Sequence, residues 1–257
     1  MNATLSNATP SRLTTYMVFI QIVVAVALWS MAPASLLPKP WEIWDAWLKL
    51  MSEGFLVDIG TSLLLTAEAI AVTVVISLGL AYLSVVPKFS HYVRPAVVLV
   101  TKLRFNSLVG LSFALMLIFK GHELKLWLLV FGMAVWLVTS MLAVIKDIPK
   151  EEYDLARTLG MSEWQVWSEV VMRGTADQAL EVIRQNVAMG WMMLTMVEGL
   201  VHSEGGMGVM LIDNNKYLHL DAVFAIQITV VVIGVALDLF LEFFKDFVCP
   251  YSKLGKE

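Results

Sequence analysis

Cysteine is nearly absent from this sequence: Cys249 stands alone, so no disulfide can form within the chain. Histidine is scarce as well, with four scattered residues and no Cys/His spacing suited to a metal ion. Charge is thin. Asp, Glu, Lys and Arg make up 16% of the 257 residues, whereas 58% are apolar. No basic run is long enough to track a nucleic-acid backbone, so nucleic acid is not an expected partner. The Gly-Lys-Ser/Thr ending of a phosphate loop is missing after Gly205-Gly206-Met207-Gly208. The chain is therefore expected to carry no cofactor of its own. An intramembrane enzyme would need a converging nucleophile and base or a metal set. No HExxH or Gly-x-Ser-x-Gly occurs, and His91, His122, His202 and His219 all fall in expected loops.

What remains is apolar and long. The mean hydropathy is +0.75, which points to a polytopic α-helical membrane protein. About twenty apolar residues cross a hydrocarbon layer about 30 Å thick. Six stretches meet that length, at about residues 16–34, 60–86, 96–119, 126–145, 179–201 and 222–244. The first fifteen residues lack a basic region joined to a small-residue cleavage site, so the first stretch reads as a retained span.

Between the first two stretches, Leu36-Leu37-Pro38-Lys39-Pro40 breaks the chain. Trp41, Trp44, Trp47 and Leu48 follow at helical spacing beside Glu42, Asp45 and Lys49, which predicts a helix lying in the membrane interface. Residues 87–95 read as a short polar turn. Residues 203–221 combine glycines with Asp213-Asn214-Asn215-Lys216 and suit a re-entrant turn or a short external helix. The chain divides into residues 1–59 (tail, first span and interfacial helix), a core at 60–245 and a tail at 246–257.

The long polar interruption is residues 146–174. Pro149 precedes an acidic first turn, Glu151-Glu152, suited to the positive end of a helix dipole. Tyr153, Ala156 and Leu159 line one face, and Gly160 can end the helix in the left-handed region. Ser162 and Gln165 form a capping-box pattern that starts a second amphipathic helix. The segment predicts a helix, a glycine turn and a second helix.

Lysine and arginine orient the spans. With the amino terminus inside, ten basic residues (Arg12, Lys88, Arg94, Lys146, Lys150, Arg157, Arg173, Lys245, Lys253, Lys256) lie in cytoplasmic segments. Five (Lys39, Lys49, Lys120, Lys125, Lys216) lie outside. Both termini and the 146–174 loop are thus expected in the cytoplasm. Charge within a span is costly and marks pairing or a polar path. Glu68, Lys102, Arg104, Glu181, Arg184, Glu198 and Asp238 are the residues concerned. Glu181, Arg184 and Asp238 lie near span ends, where they can snorkel or pair. Lys102, Arg104 and Asn106 lie deeper; Arg104 either snorkels back or borders an aqueous cavity. Glu198 could gate a path or merely satisfy backbone groups.

The segment Asp154-Leu155-Ala156-Arg157-Thr158-Leu159-Gly160, followed by Val170-Val171-Met172-Arg173, resembles the "EAA" loop of ABC-importer permeases. Ala156 and Gly160 match in place, Asp154 stands for Glu, Leu155 for the first Ala, and Met172-Arg173 for Leu-Pro. The resemblance continues at Gly121-His122-Glu123-Leu124-Lys125, Glu198-Gly199-Leu200 and Ser203-Glu204-Gly205-Gly206-Met207-Gly208, over roughly residues 36–245. The wider chain is similar to the branch that imports nitrate, sulfonates, taurine, bicarbonate and related small solutes.

The resemblance implies a type I ABC importer permease fold, six transmembrane helices with a cytoplasmic coupling loop, in a bacterial inner membrane. It implies cytoplasmic ATPase subunits that carry ATP and Mg, a second permease chain (identical or not) and an extracytoplasmic solute-binding protein. On it, Asp154, Ala156, Arg157, Leu159 and Gly160 would couple to the ATPase. Lys102, Arg104, Asn106 and Glu198 are the path candidates. The family often has proline-rich sequence after an arginine here, and Arg104-Phe105-Asn106-Ser107 has no proline. Two other readings compete, a permease-like sensory or scaffold membrane protein without transport, and an intramembrane enzyme.

Overall fold

The computed structural model describes residues 37–86 and 88–249, and of the N-terminal part residues 16–17, 19–21, 23–24, 29 and 30, which are helical. Much of the expected first span, Arg12, Pro87, Lys253 and Lys256 lie outside the described residues. The described residues are helical, with no strand among them. In order they form α1 (Pro40–Ser52), α2 (Phe55–Leu83) and α3 (Ser90–Lys102). A 3-10 turn (Leu103–Phe105), α4 (Leu108–Leu115), α5 (Gly121–Lys146), α6 (Lys150–Thr158) and α7 (Glu163–Val166) follow. A π-helical segment (Trp167–Arg173), α8 (Ala176–Leu200), α9 (Met207–Lys216) and α10 (Leu220–Val248) complete the chain.

Three of these helices, α2, α5 and α10, are long and apolar enough to cross a membrane, and α3 with α4 makes a fourth if the bent pair counts as one span. Among the described residues these account for three or four of the six expected spans, and most of the first lies outside them. The expected fifth span corresponds to α8, which has 25 residues but is not apolar enough to count as a span and includes buried Asn186 and Glu198. Helix α8 packs against α2, α5, α9 and α10. Protein rather than lipid surrounds much of it, so its polar groups find partners there.

Helix α5 is the hub, in contact with α2, α3, α4 and α8. In its most apolar stretch 56% of residues are buried, against 28% in α2 and 22% in α10, which leave most of their apolar side chains for lipid or other chains. One core gathers Phe55, Leu65, Leu128, Leu194 and Ile226 near one end of the bundle. A second, with Tyr82, Leu137, Met141, Val171 and Ala179, closes the other end, under the 146–174 loop.

Three sequence expectations need correction. The third stretch is not one straight helix: α3 and α4 are bent by 114°. The break falls at Asn106 (φ −78°, ψ 140°) and Ser107 (φ −75°, ψ 129°), both extended. Asn and Ser are weak helix formers, and α3 and α4 each pack against α5 on either side of the break. Residues 90–95, read as turn, already belong to α3, with Pro95 inside it. His91 and His122, read as loop residues, lie in α3 and in the first turn of α5.

Helix α1 forms where the spacing predicts a helix. Lys39 N–H donates to Glu42 Oε2 at 2.8 Å. Ile43, Ala46 and Leu50 face the core, while Trp41, Trp44 and Leu48 stay exposed. Trp47 departs from that stripe. It is half-buried, and its Nε1–H donates to Thr229 Oγ1 of α10 at 3.2 Å.

Candidate functional site

The 146–174 loop is held by local bonds that its sequence specifies. Gly160 has φ +77°. Gly160 N–H donates to Arg157 O at 3.0 Å and Met161 N–H to Ala156 O at 3.2 Å. These are the two bonds of a Schellman motif, which satisfies the last carbonyls of α6. No atom lies within 4 Å of where a Gly160 Cβ would stand, so the backbone angle alone demands glycine. Ser162 N–H donates to Gln165 Oε1 at 2.9 Å, and Gln165 N–H to Ser162 Oγ at 3.4 Å, completing the capping box. Arg157 Nε donates to Glu163 Oε1 at 3.1 Å across the turn, with Asp154 Oδ1 at 3.7 Å from the same guanidinium. The Glu163 hydrogen bond raises Arg157 above the usual arginine pKa.

Behind the loop, Trp167 Nε1–H donates to Tyr82 O at the end of α2, 3.1 Å away. The Tyr82 hydroxyl lies 3.2 Å from Thr175 Oγ1. Ala156 is buried and Tyr153 packs on the second core. Burial, chiefly, raises the Tyr153 phenol pKa. Leu159 does not share that face as the spacing predicted: it lies beyond the last helical turn, 67% exposed. Leu155 and Trp164 are exposed as well. The loop thus presents Leu155, Leu159 and Trp164 to solvent together with Asp154. Isolated water-soluble faces seldom carry such side chains in a group.

The path candidates separate. Arg104 and Asn106 line one cavity of about 210 Å³, bounded by Gly132 and Trp136 of α5 and Met193 of α8. Lys102, at the end of α3, is exposed and does not line it. The Arg104 guanidinium sits over the Phe105 ring, 4.8 Å from its centroid.

Glu198 is elsewhere, 1% exposed near the end of α8. Its Oε1 accepts from Ser62 Oγ at 2.6 Å and its Oε2 from Gly208 N–H at 2.7 Å. Two neighbouring N–H groups are met from α2: Met207 N–H donates to Ser62 Oγ at 3.0 Å, and Gly206 N–H to Asp58 Oδ1 at 2.8 Å. These are the otherwise orphaned donors at the N-terminus of α9, and carboxylates suit the positive end of that helix. On the carbonyl side, Lys125 Nζ donates to Gly205 O at 2.9 Å and also to Ser203 O. Lys125 is 3% exposed. Between them the turn carries three successive residues of positive φ, Glu204 (64°), Gly205 (70°) and Gly206 (115°).

The sequence reading counted Lys125 as an external loop charge and did not single out Asp58 or Ser62. A signal for Lys125 was present. It lies at helical spacing with Leu128, Leu129 and Gly132, all on the buried face of α5. Glu181, Arg184 and Asp238 pair as expected. Arg184 Nε donates to Asp238 Oδ1 at 2.7 Å, and Lys245 Nζ to Glu181 Oε2 at 2.6 Å, tying α8 to α10. Among the described residues no group of His, Cys, Asp and Glu could hold a metal ion.

A bundle of apolar helices, several long enough to span a bilayer, with a capped polar loop at one end and buried polar links at the other, is the build of a multi-pass membrane protein. A family model described as the binding-protein-dependent transport system inner membrane component matches residues 13–248. The chain belongs to that family. It is also 23% identical over 136 residues to a Methanocaldococcus jannaschii protein whose name, itself an inferred one, is ABC transporter permease protein. That match covers 53% of this chain and 51% of the relative, so the chain spans about half the length of the relative it matches.

Proposed function

We propose that this permease subunit forms half of the translocation path of an ATP-driven importer for a small solute, and that it couples to a cytoplasmic ATPase through residues 146–174. The reading is carried by the loop. Its capped, Schellman-closed helix pair is anchored to α2 through Trp167 and Tyr82, while Leu155, Leu159, Trp164 and Asp154 remain exposed. An anchored rigid pair with an exposed apolar face is suited to take force from a partner and pass it to α2 and α8. Ala156 and Gly160 set the geometry, Arg157 braces the turn, and Asp154 and Leu159 offer contact.

The partners that follow are ATPase subunits holding ATP and Mg, a second permease chain to close the path, and an extracytoplasmic binding protein. The bacterial inner membrane, with both termini and this loop on the cytoplasmic side, is the matching location. Arg104 and Asn106 border the path; Lys102 lies just before them at the end of α3, and Glu198 holds the turn between α8 and α9. The solute class proposed is a small anion such as nitrate, a sulfonate, taurine or bicarbonate, on the resemblance to that branch. Co-purification in mild detergent tests the assembly, followed by ATP hydrolysis in liposomes with and without solute-loaded binding protein. Stimulated hydrolysis supports coupling and import. A chain that recruits no ATPase refutes it.

A further inference from the structure

The bend between α3 and α4 brings one cation to the middle of the bundle. Arg104 lies in the 3-10 turn just before the break, and the cavity it lines is bounded by Gly132, Val135 and Trp136. Those three residues bracket the midpoint of α5 (Gly121–Lys146), a helix long and apolar enough to cross a bilayer. The cavity is therefore at mid-depth along α5. The chain runs extended at Asn106 and Ser107 beside it, and irregular backbone at membrane depth is tolerated only where protein covers it or a cavity adjoins it.

A guanidinium carries a permanent charge, and charge at that depth calls for a counter-charge. Among the described residues none supplies it. No Asp or Glu lines the cavity, and the close contact of Arg104 is with the Phe105 ring, 4.8 Å from its centroid. The occupant that fits is an anion. A carboxylate or sulfonate suits the planar fork of arginine, which can meet two oxygens at once. The Asn106 amide on the same wall is a further donor.

The rest of the wall decides what the anion carries. Leu103, Leu108, Phe131, Val135, Trp136 and Met193 are all apolar. An inorganic anion would leave oxygens against them without a donor, and unmet polar atoms are costly away from water. A zwitterion would bring its ammonium to a wall that holds an arginine and no carboxylate. An apolar body meets neither penalty. Size agrees: a cavity of about 150 Å³ takes benzene, and this one, at about 210 Å³, leaves room for an acidic group beside a ring or short chain.

We propose, resting on the import reading above, that the cavity at the α3–α4 bend is a solute subsite for a monoanion with an apolar body, an organic sulfonate or carboxylate. Arg104 and Asn106 hold the charged end, and Phe131, Trp136 and Met193 cover the body. Nitrate, bicarbonate and taurine are poor occupants of it.

The test uses the full chain in nanodiscs, with para-fluorobenzenesulfonate as probe, followed by fluorine NMR. The probe is expected to bind saturably, and benzenesulfonate or butanesulfonate should displace it. Nitrate, bicarbonate and taurine at the same concentrations should not, and neutral para-fluorobenzyl alcohol should show no saturable binding. Arg104→Gln should abolish the binding. Arg104→Lys keeps the charge without the fork and should weaken binding about tenfold or more, the equivalent of one charged hydrogen bond. No saturable binding in the parent, displacement by nitrate or taurine, or undiminished binding in Arg104→Gln overturns the subsite. The liposome assay keeps the two readings apart. Stimulated hydrolysis without this binding leaves import standing and removes the subsite, whereas binding without stimulated hydrolysis does the reverse.

Discussion

Lys125 and Glu198 hold the same short turn from opposite sides. Lys125 takes the carbonyls of Ser203 and Gly205, and Glu198 takes the N–H of Gly208. Both side chains are almost wholly buried. Neither charge is placed to touch solute directly. Their shared effect is to fix the chain between α8 and α9 in a left-handed course that it would not adopt alone.

Removing one of the two should therefore cost more than a surface charge would. Lys125→Met keeps the length of the side chain but leaves two carbonyls without their donor and Glu198 without a nearby cation. The expected loss of stability is about 1.5–3 kcal/mol, the range for a hydrogen bond made by a charged group. Glu198→Gln retains acceptor capacity and should cost only about 1–2 kcal/mol. Thermal unfolding in detergent measures both, and near-parental stability for Lys125→Met would contradict this account of the turn.

Two glycines in the turn should differ in their tolerance of alanine. A Cβ on Gly206 would meet Glu198 Oε1 at 2.5 Å, whereas one on Gly208 would meet the Thr195 carbonyl at 2.3 Å. Gly206 also carries the strain of φ +115°, of order 1–3 kcal/mol for other residues. A carboxylate can swing but a helix backbone cannot. Gly208→Ala is expected to separate α8 from α9 and lower folded yield more than Gly206→Ala. Size-exclusion profiles after matched expression give the comparison.

At Gly160 the expectation is strain without collision. Valine at φ +77° has open space around it but an unfavourable backbone, again about 1–3 kcal/mol and confined to the loop. Gly160→Val should insert and fold, yet bind its ATPase weakly or fail to couple hydrolysis. Gly160→Asn, which tolerates the left-handed region, should recover most of the interaction. Parental pull-down and parental solute-dependent hydrolysis in Gly160→Val would remove the loop from coupling.

Two arginines should part in their phenotypes. Arg184 makes a paired contact with Asp238, at 2.7 and 3.1 Å, that joins α8 to α10. Arg104 makes no such ion pair and lines the cavity at the α3–α4 bend. Arg184→Ala is expected to lower folded yield, and Arg104→Ala to lower transport at equal membrane abundance. Normal transport by Arg104→Ala would leave that residue as a snorkelling side chain.

Orientation has its own measurement. With Cys249→Ser as background, Ser162→Cys is expected to react only from the cytoplasmic side, and Asn214→Cys from the outside. Labelling of position 162 from outside intact cells would reverse the assignment.

The 146–174 loop was legible in the sequence down to single hydrogen bonds. Its Schellman closure at Gly160 and its box at Ser162–Gln165 join residues no more than five apart, so composition and order alone specify them. Long apolar helices were equally legible, because exclusion from water depends on hydropathy averaged along the chain. Which helices would be neighbours was not. Lipid and a packed helix are alike apolar, so hydropathy does not tell α5, the buried hub, from α10 at the periphery. The bend at Asn106 needed tertiary packing of α3 and α4 against α5, since no proline marks it. The roles of Asp58, Ser62, Lys125 and Glu198 arose only when α2, α5 and α8 met around one turn. Glu198 stood out as a charge in an apolar run, whereas Lys125 read as a loop charge and Asp58 and Ser62 as ordinary residues, and only the folded chain brings them together.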